Sequence, residues 1–274
     1  MNLKGKVEVV GLSDTGRVRT HNEDSIGEDM EIGAVVLADG MGGYKGGEVA
    51  SAIAVNTIMA ELRRTIPALA PGEIDEETGY TRESIAVRDA IIKANETIYQ
   101  TAQSQPQYQG MGTTVVVLVF YDNRITFAHV GDSRMYRLRN EQLEQITVDH
   151  TLLQELVDRG FYSQEEARQS LNKNLVTRAL GIEPSVAVDL QEDVTFPGDI
   201  YLLCSDGLND MVDDEEIHLT LKEFGANLEE AAKRLIELAN AHGGKDNVSV
   251  ILARPTREFH ARKHWYERVV DWLF

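Results

Sequence analysis

Four aspartates sit where a carboxylate is not the usual choice for solubility. Asp39 and Asp206 each follow an apolar run and precede a glycine, in Val35-Val36-Leu37-Ala38-Asp39-Gly40 and Leu202-Leu203-Cys204-Ser205-Asp206-Gly207. Asp132 and Asp246 lie in glycine turns, Gly131-Asp132-Ser133 and Gly243-Gly244-Lys245-Asp246-Asn247. An acidic pair, Glu23-Asp24, stands in Thr20-His21-Asn22-Glu23-Asp24-Ser25, behind Gly16-Arg17-Val18-Arg19. A strand end holds its aspartate rigidly, and glycine lets another group approach the main chain closely. One Asp-Gly is an ordinary turn, but the repeated placement makes a set. Gathered at one edge of a sheet, such carboxylates repel one another strongly, and protons or cations must relieve them. Several carboxylates, a backbone carbonyl and water are the preferred shell of Mg²⁺ or Mn²⁺. The sequence has no paired His or Cys cluster of the kind that makes a structural zinc site.

These residues need rigid elements behind them. Runs of strand type are Val7–Leu12, Gly33–Ala38, Thr113–Tyr121, Ile125–His129, Ser133–Leu138, Val186–Leu190, Ile200–Cys204 and Val248–Ala253. Asp122-Asn123-Arg124 reads as a hairpin connection between two of them. Helical spacing predicts helices over Glu48–Arg64, Arg82–Ser104 and Leu228–His242, with shorter ones over His150–Arg159 and Asp214–Phe224. Strands and helices interleave throughout, which reads as one domain of mixed α and β type. The tail differs from the acidic body, with five Lys/Arg against three Asp/Glu from Arg254 onward. Its last residues, His264–Phe274, place Trp265, Val269, Trp272 and Leu273 on one helical stripe. That short helix must pack on its own domain, a partner or a membrane surface.

Composition narrows the function. Lys and Arg number 27 against 45 Asp and Glu, a formal charge of −18, which opposes the basic footprint of a nucleic-acid binder. With 42% hydrophobic and 26% charged residues the chain is globular. The longest apolar run, Val115–Tyr121, falls far short of the roughly 20 residues that span a bilayer. The N-terminal residues Met1–Gly11 carry no apolar core of signal type, and one cysteine makes no internal disulfide, so a cytoplasmic location is expected, with the chain taken as a monomer. Most of the acids, such as Asp214–Glu216 and Glu229–Glu230, are read as solvated helix faces.

The ordered boxes resemble the metal-dependent serine/threonine phosphatases of type 2C, in their compact bacterial branch. They are Arg19 through Ser25, Asp39-Gly40-Met41-Gly42-Gly43, Gly112-Thr113-Thr114, Gly131-Asp132-Ser133-Arg134, Thr147-Val148-Asp149-His150, Thr177-Arg178-Ala179-Leu180-Gly181, Cys204-Ser205-Asp206-Gly207 and Asp246-Asn247. The resemblance implies an α+β fold, a central β-sandwich of two antiparallel sheets flanked by helices on both sides. It implies a catalytic domain over residues 1–254 with a flap near 160–181, and a C-terminal extension over 255–274. It implies two divalent ions, Mn²⁺ or Mg²⁺, with Asp39 bridging them, the Gly40 carbonyl ligating one, and Asp206 and Asp246 completing the first site. Glu23 and Asp24 would lie in the outer shell, and Asp132 with Asp206 would match a third, weaker site. Arg19 would bind the phosphate. The implied reaction is direct attack of a metal-bridging hydroxide on phosphorus in phosphoserine or phosphothreonine, with no phosphoenzyme. Its partners would be phosphorylated proteins, a serine/threonine kinase and its targets among them.

One position departs from part of the family. Met41 stands where some members carry a histidine proposed as the general acid, which leaves His21, His129 and His150 or a metal-bound water for that role. A cysteine-based phosphatase is excluded because Asp210, not arginine, follows Cys204 at six residues. Gly42-Gly43-Tyr44-Lys45-Gly46-Gly47 lacks the P-loop pattern and reads as a turn into the following helix. The alternative from another class is a catalytically inactive relative that binds phosphoproteins.

Overall fold

A computed structural model describes residues 2–43, 45–163 and 175–260. The helix expected over His264–Phe274 lies outside the described residues, as do residues 164–174 of the expected flap. In chain order the elements are β1 (Val7–Asp14), β2 (Asp24–Asp29), β3 (Ala34–Met41), α1 (Gly46–Thr65), α2 (Arg82–Ser104), β4 (Gly112–Thr113), β5 (Val115–Tyr121), β6 (Arg124–Val130), β7 (Arg134–Arg139), β8 (Gln142–Gln145), α3 (Leu152–Asp158), β9 (Asp189–Val194), β10 (Ile200–Cys204), α4 (Asp206–Asn209, a single turn), α5 (Asp214–Phe224), α6 (Leu228–Ala241) and β11 (Val248–Pro255).

The strands form two antiparallel sheets. One runs β1-β11-β10-β7-β8; the other runs β2-β3-β5-β6-β9, with β4 paired to the end of β3. Each central strand is buried on both faces, which explains its unbroken apolar sequence. On β5, Val116, Leu118 and Phe120 point into the sandwich, where they meet Tyr201, Leu203 and Ile251 of the opposite sheet. The alternate residues Val115, Val117, Val119 and Tyr121 face α1 and α2. On the far side, Leu202, Cys204, Val250 and Leu252 face α5 and α6. The architecture is therefore helix, sheet, sheet, helix, as the resemblance implied. Phe259 also packs among the inter-sheet residues, with its ring 6.2 Å from that of Phe120.

Local chemistry sets the element ends. Thr81, Asp213 and Asn227 accept from the backbone N–H of the third residue along and so cap α2, α5 and α6. The β5–β6 connection is two residues, Asp122 and Asn123, both with positive φ, because Arg124 already pairs with Tyr121. The run expected as a strand over Val186–Leu190 is displaced: the paired residues are Asp189–Val194, while Val186 and Val188 pack against the helix-side core without joining the ladder.

Candidate active site

The acidic residues singled out above come from loops and strand ends at one end of the sandwich. Asp39 lies near the end of β3, and its ladder partner on β2 is Asp24. Asp206 opens α4 directly after β10, Asp132 leaves β6 through Gly131, and Asp246 precedes β11. Close packing behind Asp39 and Asp206 requires glycine. A Cβ on Gly40 would lie 2.1 Å from the Gly47 carbonyl oxygen, and one on Gly207 would lie 2.0 Å from the Asn247 oxygen.

The carboxyl groups feel one another. Burial, then the charges of Asp24, Asp206, Asp132 and Asp246, hold Asp39 well above the ordinary carboxylate range. Asp206 is raised in the same way by burial and by Asp132, Asp210, Asp246 and Asp24. Asp132 is pushed up to about 6 by burial and by Asp149, against the opposing charge of Arg134. Burial also pushes Asp24 up to about 6, although Ser249 and Ser205 stabilise its charged form. Their hydroxyls donate to Asp24 Oδ2 at 2.6 and 2.9 Å, while buried Oδ1 has no hydrogen-bond partner among the described residues. Glu23 is raised by burial and by Asp246, with Arg19 opposing.

Arg19 and Asp246 are drawn together. Arg19 Nη2 donates to Asp246 Oδ2 at 2.7 Å, both groups being partly open to solvent. Arg19 lines a cleft of about 360 Å³ with Thr20, His21, Glu23, Gly42 and Lys45. His21 is thus the only expected histidine at the cleft wall. His129 donates from Nε2 to the Val148 carbonyl at 2.7 Å, and His150 Nδ1 accepts from Gly131 N–H at 3.0 Å.

Other polar residues hold this arrangement, and they were not assigned roles from sequence. Asn247 is buried; its Oδ1 accepts from Glu23 N–H at 2.8 Å, and its Nδ2 donates to the carbonyls of Thr15 and His21 at 3.0 and 2.9 Å. Thr113 Oγ1 donates to the Asp39 carbonyl at 2.8 Å, and Thr114 N–H reaches the same oxygen at 2.9 Å. Ser51 Oγ donates to the Glu23 carbonyl at 2.6 Å. Asn247 and the two threonines stand inside quoted boxes, so their positions were visible; Ser51 and Ser249 had no such signal.

The donor set fits hard divalent cations. Mutually raised carboxylates are groups that a cation satisfies, the unpartnered Asp24 oxygen is one that cation-bound water satisfies, and oxygen donors suit Mg²⁺ or Mn²⁺. A tighter convergence of different character lies nearby. Donor atoms of His129, His150 and Asp189 lie within 4.8 Å of one another, the one such group of three among the described residues. Arg178 Nη1 already donates to Asp189 Oδ1 there at 2.9 Å, so a guanidinium supplies the positive charge.

Known proteins share this sequence pattern and fold. The sequence profile described as Protein phosphatase 2C matches residues 16–242. The serine/threonine phosphatase stp of Listeria monocytogenes is 39% identical over 245 residues, which cover 88% of this chain and 92% of that protein. The serine/threonine protein phosphatase PstP of Mycobacterium tuberculosis is 42% identical over 243 residues, 88% of this chain but 43% of the relative. A crystal structure of the catalytic domain of PstP in complex with two manganese ions superposes with a TM-score of 0.77. Its sequence is 38% identical, with 90% of this chain and 97% of that one covered. The fold, the ordered acidic boxes and the matched length agree: the chain belongs to the protein phosphatase 2C family.

Proposed function

We propose that the protein is a metal-dependent phosphatase that hydrolyses phosphoserine and phosphothreonine in proteins. The observation that carries this reading is the acidic cluster around Asp39, set beside a cleft that Arg19 lines. Asp39, the Gly40 carbonyl, Asp206 and Asp246 would hold a pair of Mn²⁺ or Mg²⁺ ions. Glu23 and Asp24 would lie one layer out, and Asp132 with Asp206 would hold a weaker third ion. When bound, such ions polarise phosphoryl oxygens and make water a nucleophile near neutral pH.

The chain's own residues supply the rest. Arg19 offers a planar fork that fits two phosphate oxygens. Met41 cannot donate a proton; His21, which lines the cleft beside Arg19, or a metal-bound water would protonate the leaving oxygen. Asn247 and Ser51 hold the Glu23 main chain, which fixes the loop that carries Arg19. Phosphoproteins made by a serine/threonine kinase are the substrates we favour, because the named relatives are serine/threonine phosphatases. Among the described residues no helix is long and apolar enough to cross a membrane; a cytoplasmic site of action fits the single, buried Cys204.

Purified protein supplied with Mn²⁺ should hydrolyse 4-nitrophenyl phosphate and a phosphothreonine peptide, and a chelator should stop both reactions. Asp39→Asn should lose the tightly bound ions and turnover together. Metal-loaded protein that bound the phosphopeptide without turning it over would favour the inactive, binding relative instead.

A further inference from the structure

We propose that His150 is a positioning residue: it sets the Gly131 turn that delivers Asp132 and ties that turn, through Asp189 and Arg178, to the 175–181 segment. The proposal rests on the reading of Asp132 as a ligand of the weaker metal site.

His150 holds both peptide groups of Gly131. Its Nδ1 accepts from Gly131 N–H at 3.0 Å, and its own N–H donates to the Gly131 carbonyl at 3.0 Å. Gly131 has φ of +109°, and a Cβ there would lie 2.6 Å from the Thr114 side chain. A conformation so specific needs an external clamp, because nothing in a glycine's own geometry selects it. Asp132, the next residue, is buried, so its carboxylate direction follows that of the turn.

The other ring nitrogen faces outward. With Nδ1 accepting, a neutral ring carries its proton on Nε2; Nε2 lies 3.2 Å from Asp189 Oδ2, and Arg178 Nη1, 3.3 Å from the same nitrogen, is a donor that cannot bond the protonated Nε2 and turns to Asp189 instead. Arg178 donates to the other Asp189 oxygen at 2.9 Å. The ring is stacked on His129, with centroids 4.6 Å apart, which blocks its rotation. The same residue also receives the 175–181 segment, since Thr177 N–H donates to the His150 carbonyl at 2.8 Å. Three residues further on, Leu180 exchanges backbone bonds with Thr113, whose hydroxyl holds the Asp39 carbonyl. Residue 150 thus links the Asp132 turn to a segment that also touches the support of Asp39, by its main chain through Thr177 and by its imidazole through Asp189 and Arg178. The partners are those of an outer-shell carboxylate–histidine pair, with a backbone turn in place of the metal.

The test is Mn²⁺ binding to the full chain by calorimetry and by electron paramagnetic resonance of free Mn²⁺. Wild type should show a tight pair and a weaker ion, the weaker one absent in Asp132→Asn. His150→Ala should weaken that ion about tenfold or more, the usual range for lost outer-shell support, and leave the tight pair unchanged. His150→Asn keeps an acceptor near the Nδ1 position and should recover most of the loss. Asp189 is partly exposed, so Asp189→Asn keeps the test open if the His150 variants fail to fold; it should weaken the same ion alone. Unchanged weak binding in folded His150→Ala or Asp189→Asn overturns the proposal. Absence of a weaker ion in wild type would overturn the Asp132 reading and the proposal together, with the tight pair still standing.

Discussion

Asn247 uses both polar atoms of its side chain on main-chain groups of the loop that carries Arg19: its oxygen on Glu23 N–H, its nitrogen on the carbonyls of Thr15 and His21. Replacement by alanine leaves Glu23 N–H and the carbonyls of Thr15 and His21 without these partners, on half-buried main chain behind the buried Asn247 side chain. A fully buried group left unpaired costs about 1–3 kcal/mol, and these part-buried groups cost up to that much each. Asn247→Ala should therefore lower the melting temperature by several degrees and raise KM for a phosphopeptide, because the loop it holds carries Arg19. A wild-type KM in a folded variant would separate the loop from the phosphate site. Arg19 invites a second test. Removing its guanidinium should lose about 1.5–3 kcal/mol of phosphate binding, the range for a charged hydrogen bond, read as a KM raised about tenfold or more. Arg19→Lys should restore only part of this, since a lysine has charge without the fork. An unaltered KM in Arg19→Ala would count against its role.

The strands and helices differ in how far they could be read from residues. Val115–Tyr121 is apolar at every position because both faces of β5 are covered, and such a run is visible without any structure. The β2 strand, Asp24–Asp29, shows no such pattern: it is an edge strand, partly open to solvent, and its polar sequence reads as loop. The four-residue edge strand β8 was hidden for the same reason. The candidate ligands were legible because glycine marks them at the ends of apolar runs. Their supports were not, since Ser249 is one hydroxyl within an apolar strand and only the fold shows that it faces Asp24. Element packing makes its own prediction at Gly207. An added Cβ would meet the Asn247 carbonyl at 2.0 Å, and backbone on one side cannot swing away as a side chain would. Gly207→Ala should cost at least about 1–3 kcal/mol by overpacking and should push α4 with Asp206 off its place. Mn²⁺ binding should fall while far-ultraviolet circular dichroism persists; a variant with wild-type Mn²⁺ affinity would show that α4 does not set Asp206.

For the whole molecule, charge links folding to metal. The chain carries a formal −18, and part of that excess is concentrated where burial resists it. Asp24 and Asp132 titrate near 6 in the folded chain against a usual 3.8. A carboxylate raised by folding binds protons more tightly in the native state, so its contribution to stability is complete below its unfolded value. That contribution is lost as pH rises through about 6. His129 and His150 work in the other direction. Burial holds both below the usual 6.5, so their contribution is present above 6.5 and is lost as pH falls through the lower folded values. The melting temperature of chelated protein mixes the two effects, but the increment produced by Mn²⁺ at each pH cancels the histidines to first order. Cations and protons compete for the same carboxylates. At free Mn²⁺ of about 100 times the dissociation constant, the increment at neutral pH should reach about 2.7 kcal/mol for each ion bound. It should shrink steadily from about pH 7.5 to about pH 5.5 as protons displace the ions. Differential scanning fluorimetry across that window, with and without Mn²⁺, measures it directly. An increment that stayed constant through pH 6 would mean that Mn²⁺ stabilises the protein at groups other than these raised carboxylates.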